Sequence, residues 1–213
     1  APRGFVVDFD DFALVEAFTK EIYKYLKSNF FRYICEVYMY NWEFNKFENL
    51  SYVMASHKEC TDPDKKYPTL LYLHGAGSRG TDLCALHTAS SIVNAEKMGI
   101  KIRVYAPQCH TDTWFELFEQ LIAFTKFLYS QPTTDQDRFY LTGVSMGGYA
   151  AWQLGMSCPE LFAAISPVCG GGMYWNAAKL KNVPVWAFHG ALDTGVYVTE
   201  SINMVNSINS YGG

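Results

Sequence analysis

The sequence has few charged residues, no long apolar run and no paired-cysteine signature, and each shortage argues against a class of function. Charged side chains make up 18% of the 213 residues and leave a formal net charge of −4. That balance offers no basic face, so neither a nucleic-acid nor a membrane partner is expected. No apolar stretch approaches the ~20 residues needed to cross a bilayer, and no cleavable leader is visible. The six cysteines (35, 60, 84, 109, 158 and 169) show neither C-x-x-C nor zinc-ligand spacing. In a chain able to build its own core they read as free thiols, which leaves the compartment open between cytoplasmic and secreted. The glycine-rich stretch Gly75-Ala76-Gly77-Ser78-Arg79-Gly80 lacks the Gly-Lys-Ser/Thr ending of a phosphate-binding loop. Neither a metal nor an organic cofactor is expected. Histidine is also sparse: there are five (57, 74, 87, 110 and 189), and none follows Asp193.

What is present suits an α/β domain. Apolar residues reach 49% and aromatics 16%, and a chain of this length can bury roughly 70% of its unfolded surface. Residues 1–33 read as a lead-in and an amphipathic helix, with Val15, Phe18, Ile22 and Leu26 on one face. Two period-2 stretches, Ile34–Tyr40 and Leu50–Ser56, read as an antiparallel pair separated by 45–49. From Tyr67 onward strands alternate with helices. Strands are expected at 69–73, 101–105, 138–142, 162–168 and 183–188, and helices at 81–98, 114–130, 146–156 and 198–211. Such alternation calls for a mostly parallel central sheet covered by helices on both faces. The expectation is one domain over 1–213, with 1–33 an N-terminal helical extension and 34–213 the core.

The chemistry centres on Gly143-Val144-Ser145-Met146-Gly147, set between an expected strand and an expected helix. This G-x-S-x-G spacing turns the chain sharply and leaves the Ser145 hydroxyl at the head of a helix, where it can act as a nucleophile. The alternative is an ordinary turn serine. Ligands of parallel sheets bind at the carboxyl ends of the strands, so the residues just past each strand matter most. After the first parallel strand, backbone N–H groups of Ala76 and Gly77, with that of Met146, can form an oxyanion hole. His74 reads as a loop-bonding residue rather than a base. After the last visible strand comes His189-Gly190-Ala191-Leu192-Asp193, and Asp193 reads either as the acid of a triad or as a turn aspartate.

Residues 67–213, about two-thirds of the chain, resemble an α/β-hydrolase of the dienelactone-hydrolase/prolyl-oligopeptidase-like esterase group. The matching pieces are the segments 73–82, 106–109 and 135–148, and 184–190 with Asp193. The resemblance implies a carboxylic ester hydrolase working through an acyl-enzyme on Ser145, with Asp193 as triad acid. The substrate would be a small-molecule or carbohydrate ester; a peptidase on the same fold is the alternative. Trp114, Tyr174 and Trp175 are candidates for a substrate rim. The family also carries one more strand and a catalytic histidine after the position of Asp193. The chain is therefore expected to be cut short before that histidine, with the last strand missing and an open sheet edge available for self-association. A catalytically impaired, hydrolase-like binding protein is the other outcome consistent with that lack.

Overall fold

In the computed structural model, residues 40–88 and 90–213 are described, with the side chains of 87–91 excepted. The helix expected within 1–33, and with it the proposed N-terminal extension, lies outside those residues. Among the described residues the strands are β1 (Tyr40–Phe47), β2 (Leu50–His57), β3 (Tyr67–Leu73), β4 (Arg103–Pro107), β5 (Thr134–Val144) and β6 (Ala164–Val168). The helices are α1 (Ser90–Lys97), α2 (Phe118–Tyr129), α3 (Met146–Ser157) and α4 (Thr199–Ser210). The strands form one sheet in the order β1-β2-β4-β3-β5-β6. β1, β2 and β4 pair antiparallel, and β4, β3, β5 and β6 run parallel.

Period-2 alternation sorts the strand side chains onto two faces. Leu71, Leu73, Tyr105 and Leu141 share a core with Leu121, Phe124 and Leu128 of α2, Ala150, Ala151 and Leu154 of α3, and Met204 of α4. Tyr72, Val104 and Ala106 point the other way, against Ile92 and Ala95 of α1. Helices thus cover both faces, as expected. α3 is buried nearly all round, with Gly147, Gly148, Ala150, Ala151 and Gly155 keeping it slim. Its Trp152 is wholly buried and belongs to the core.

Two strand expectations need correction. Of the first, 34–40, all but Tyr40 lies outside the described residues; the break expected at 45–49 is narrower, since β1 runs from Tyr40 through Asn45 to Phe47 and only Glu48 and Asn49 turn, with Glu48 at φ 51°. The polar residues Asn45 and Lys46 within the expected break are carried in the strand, because an edge strand accommodates polar and charged residues without penalty. The second is 183–188, which runs parallel beside β6 only as isolated bridges, Ile165 to Val185 and Val168 to Phe188. Proline explains the gap. The N–H groups of Ile165 and Cys169 donate to the carbonyls of Pro184 and Phe188, but Pro167 between them has no N–H to give. The Ser166 hydroxyl donates to the Trp186 carbonyl instead, at 3.0 Å.

Candidate active site

β5 ends at Val144 and α3 begins at Met146, so a single residue carries the change of direction. Ser145 has φ 55° and ψ −117°, backbone space that a residue with a Cβ enters at a cost of about 1–3 kcal/mol. Its surroundings hold it there. The Ser145 N–H donates to the Val168 carbonyl at 2.9 Å, and the Tyr149 N–H donates to the Ser145 carbonyl at 3.0 Å. The flanking glycines let backbones touch: a Cβ at Gly143 would stand 2.2 Å from the Gly147 carbonyl oxygen. A Cβ on Gly148 would stand 2.5 Å from that of Val168.

The loop after β3 lies against this bend. A Cβ at Gly75 would sit 3.2 Å from the Val144 oxygen and 3.5 Å from the Ser145 Cβ. From Gly75 the chain makes a 3-10 turn, Ala76–Ser78, closed by Ser78 N–H to the Gly75 carbonyl at 3.1 Å. The N–H groups of Ala76, Gly77 and Met146 therefore fall in the opening turns of short and long helices, where no internal acceptor exists. Arg79 and Gln108 brace the loop, donating to the carbonyls of Ala76 and Ser78.

His74 sits beneath that loop. The Cys109 N–H donates to its Nε2 at 2.9 Å, so Nε2 is the bare nitrogen, and Nδ1–H donates to the Gly75 carbonyl at 2.8 Å. Both nitrogens are engaged in a neutral ring, and burial pushes its pKa below the usual value. Trp114 donates its indole N–H to the His74 carbonyl at 3.0 Å and is completely buried. It cannot be a rim residue, because its only polar atom is committed to the backbone under the loop. Tyr174 and Trp175 are at the surface, 47% and 66% exposed, with their rings edge to face at 5.2 Å.

Asp193 makes the turn its sequence context allowed. Its Oδ1 accepts from the N–H groups of Gly195 and Val196, at 2.9 and 3.0 Å. Those two donors, Val196 first, hold its carboxyl below the ordinary carboxylate range, helped by the nearby His189. Its Oδ2 lies 3.8 Å from His189 Nε2. The His189 ring bonds at both nitrogens, to the Val196 carbonyl and to Ser201 Oγ, each at 2.8 Å. The Ser201 hydroxyl donates in turn to the Gly170 carbonyl at 2.9 Å, and Gly170 packs directly on Gly148. Asp193 is thus fastened to the first turn of α3 through His189, Ser201 and Gly170. Sequence reasoning placed His189 only as a residue after a strand and missed Ser201, because nothing local marks a serine inside a helix as a bolt.

A cavity of about 510 Å³ opens beside α3, lined by Phe115, Phe118, Tyr149, Gln153, Met173 and Glu200 among others. Tyr149 follows Ser145 by one helical turn, though Ser145 itself does not line the cavity.

Residues 104–176, from β4 to the aromatics after β6, match the prolyl oligopeptidase family, Peptidase S9. The structure aligns with that of a thermostable esterase at TM-score 0.71 and 32% identity, over 82% of this chain and 52% of that one. The chain belongs to the α/β-hydrolase superfamily. It spans about half the length of that esterase. A ferulic acid esterase shares the fold at TM-score 0.62 and 14% identity, over 82% of this chain and 87% of that one. The acylaminoacyl peptidase of Pyrococcus horikoshii does so at TM-score 0.62 and 14% identity, over 86% and 37%. No functionally curated protein matches the sequence.

In this α/β-hydrolase the turn at Ser145 lies against Gly75 at the start of the β3 loop, and the first turn of α3, at Gly147, lies against Leu73 and His74. An imidazole bonded to Ser145 is not found among the described residues. His74 and His189 have both nitrogens engaged, His57 Nδ1 accepts the Glu59 N–H at 3.2 Å, and His110 is exposed just past β4. Among the described residues no group of three His, Cys, Asp or Glu side chains is placed to hold a metal ion.

Proposed function

We propose that this chain carries the acyl-transfer centre of a serine hydrolase acting on carboxylic esters, with Ser145 as nucleophile. The observation that carries the reading is Ser145 itself, kept at φ 55° beside a loop and a helix start that leave N–H groups unused. Strain retained at one serine, and packed in place by glycines on each side, is the pattern of a residue held for chemistry.

In this reading a base removes the Ser145 proton and Oγ attacks the ester carbonyl. The N–H groups of Ala76, Gly77 and Met146 donate to the oxygen on which negative charge develops. The alcohol departs with the proton from the base, leaving an acyl-enzyme that water cleaves by the same steps reversed. Asp193 would use Oδ2 to orient the imidazole, since Oδ1 is occupied by the turn. The imidazole is assigned to residues outside those described; without one, a serine hydrolase loses on the order of a millionfold in turnover. Tyr174 and Trp175, exposed and mutually packed, would offer a face for sugar or aryl groups.

The match of 104–176 to a peptidase family favours a second reading, amide cleavage at the same serine. A fluorophosphonate probe tests the shared step: it is expected to label Ser145 in the natural protein that supplies the imidazole, and not in its S145A variant. Turnover of p-nitrophenyl acetate against a peptide anilide then separates the two readings. Failure to label Ser145 in the presence of an intact fold would remove both and leave a hydrolase-like binding protein.

A further inference from the structure

The cavity beside α3 carries one charge that the acyl-transfer scheme does not use. Glu200 lies in the first turn of α4, and among the described residues it has no cationic partner. The α4 N-terminus favours a carboxylate there, but the side chain is not simply facing solvent. It lies against the loop after β6, where a Cβ on Gly171 would stand 2.3 Å from Glu200 Oε2. Only a glycine leaves that space. Across the cavity are the rings of Phe115, Phe118 and Tyr149. Burial, and secondly Glu200, raise the Tyr149 phenol above its ordinary range, so it stays neutral. The cavity therefore brings three aromatic side chains and a single carboxylate to one lining, a combination suited to organic cations.

Its position ties it to Ser145. Tyr149 and Gln153 follow Ser145 at intervals of four along one helix face, and helix side chains lean toward the N-terminus, here toward Ser145. One turn of rise is about 5–6 Å. The opposite wall, Gly171 and Gly172, continues from the strand whose Val168 carbonyl receives the Ser145 N–H.

We infer that this cavity is a subsite for a positively charged group, an ammonium or guanidinium, of the molecule whose carbonyl meets Ser145. The inference rests on the reading of Ser145 as nucleophile only for the word subsite; the cation preference stands separately. Two measurements keep these apart. Direct binding of 2-phenylethylammonium is compared with that of neutral 2-phenylethanol by NMR titration. The ammonium is expected to bind about tenfold more tightly, and E200Q is expected to abolish that difference. Phe118→Leu, which removes one ring and keeps the charge, is expected to reduce it a few-fold. Fluorophosphonate labelling is then repeated with the ammonium present, and a slowed reaction at Ser145 is the expected result. Equal binding of amine and alcohol, or a preference that survives E200Q in a chain with an unchanged circular dichroism spectrum, overturns the cation site. Tight ammonium binding that leaves labelling untouched overturns its role as a subsite. Absence of any labelling strikes at the nucleophile alone, since the binding comparison is read without it.

Discussion

A Cβ on Gly147 would stand 2.0 Å from the carbonyl oxygen of Leu73, so the first turn of α3 is in backbone contact with the end of β3. That contact fixes where the Ser145 bend sits relative to the His74 loop. Alanine at 147 gains helix propensity of at most about 1 kcal/mol, against a clash between two backbones that neither can relieve by rotating a side chain. Gly147→Ala is expected to lose about 3 kcal/mol or more. Gly155→Ala is the control on the same helix. Its Cβ would meet the Ile165 Cδ1 at 2.9 Å, the movable end of a side chain, and its cost is expected within about 1 kcal/mol. Urea midpoints of the two variants decide; equal losses would mean that the 147 contact is not tight.

Strain at Ser145 is measurable as stability. Glycine accepts φ 55° and ψ −117° without penalty, whereas alanine keeps the Cβ that causes the strain. Relief of about 1–3 kcal/mol, less the ~0.5–1 kcal/mol entropy of an added glycine, leaves Ser145→Gly about 1 kcal/mol more stable than Ser145→Ala. For a chain of this size that difference moves the melting temperature by about 2–4 °C. A melting temperature for Ser145→Gly at or below that of Ser145→Ala would dispose of the strain. Both variants should fail to react with the fluorophosphonate, which separates the stability argument from the chemical one.

His74 gives a pH dependence on the neutral side. Its folded pKa is depressed by burial, while the unfolded ring titrates near the usual ~6.5. Below that pH the unfolded chain binds the proton more readily, so the stability contributed by the neutral ring is present above about 6.5 and lost as pH falls through the folded pKa. A His74→Gln variant, with no proton to take up, is expected to be less stable at pH 8 but flatter between pH 7 and 5. Chemical denaturation at several pH values checks this, and parallel slopes for the two proteins would contradict it.

These features were unequally legible in the sequence. The run 67–73 and the Gly-rich spacing around Ser145 speak through local rules, short apolar strands and a bend only glycines permit, so the parallel half of the sheet and the bend could be read directly. Trp114 could not. The helix expected from 114 begins at Phe118 instead, and the turn Trp114–Leu117 tucks the indole under His74, forty residues earlier in the chain. No periodicity reports a hydrogen bond of that span. The interruption of 183–188 was hidden for a different reason: the proline that breaks the ladder, Pro167, lies in the neighbouring strand. The fastening of Asp193 through His189 and Ser201 likewise joins segments that have no pattern in common.

Asp193 provides the acid-side counterpart to His74. Val196 and Gly195 donate to its ionised form, and His189 adds to the effect, so its folded pKa is depressed. The unfolded carboxyl titrates near ~3.9. Stability from these bonds is therefore fully present above about pH 4 and is lost as pH falls through the folded pKa, when protonation weakens the acceptor. Asparagine keeps an amide oxygen that can serve both N–H groups but has no proton to gain. Asp193→Asn is thus expected to lose part of the bond strength at pH 7 and to show a shallower decline between about pH 4 and 2.5 than the wild type. Asp193→Ala abandons both donors to water and should lie below Asp193→Asn at pH 7 with an equally shallow acid limb. Fluorescence-monitored urea unfolding of the three proteins across that range is the check. If the wild type and Asp193→Asn decline in parallel, the carboxylate is not what holds the 193–196 turn, and the orientation of Oδ2 toward an imidazole loses its structural basis.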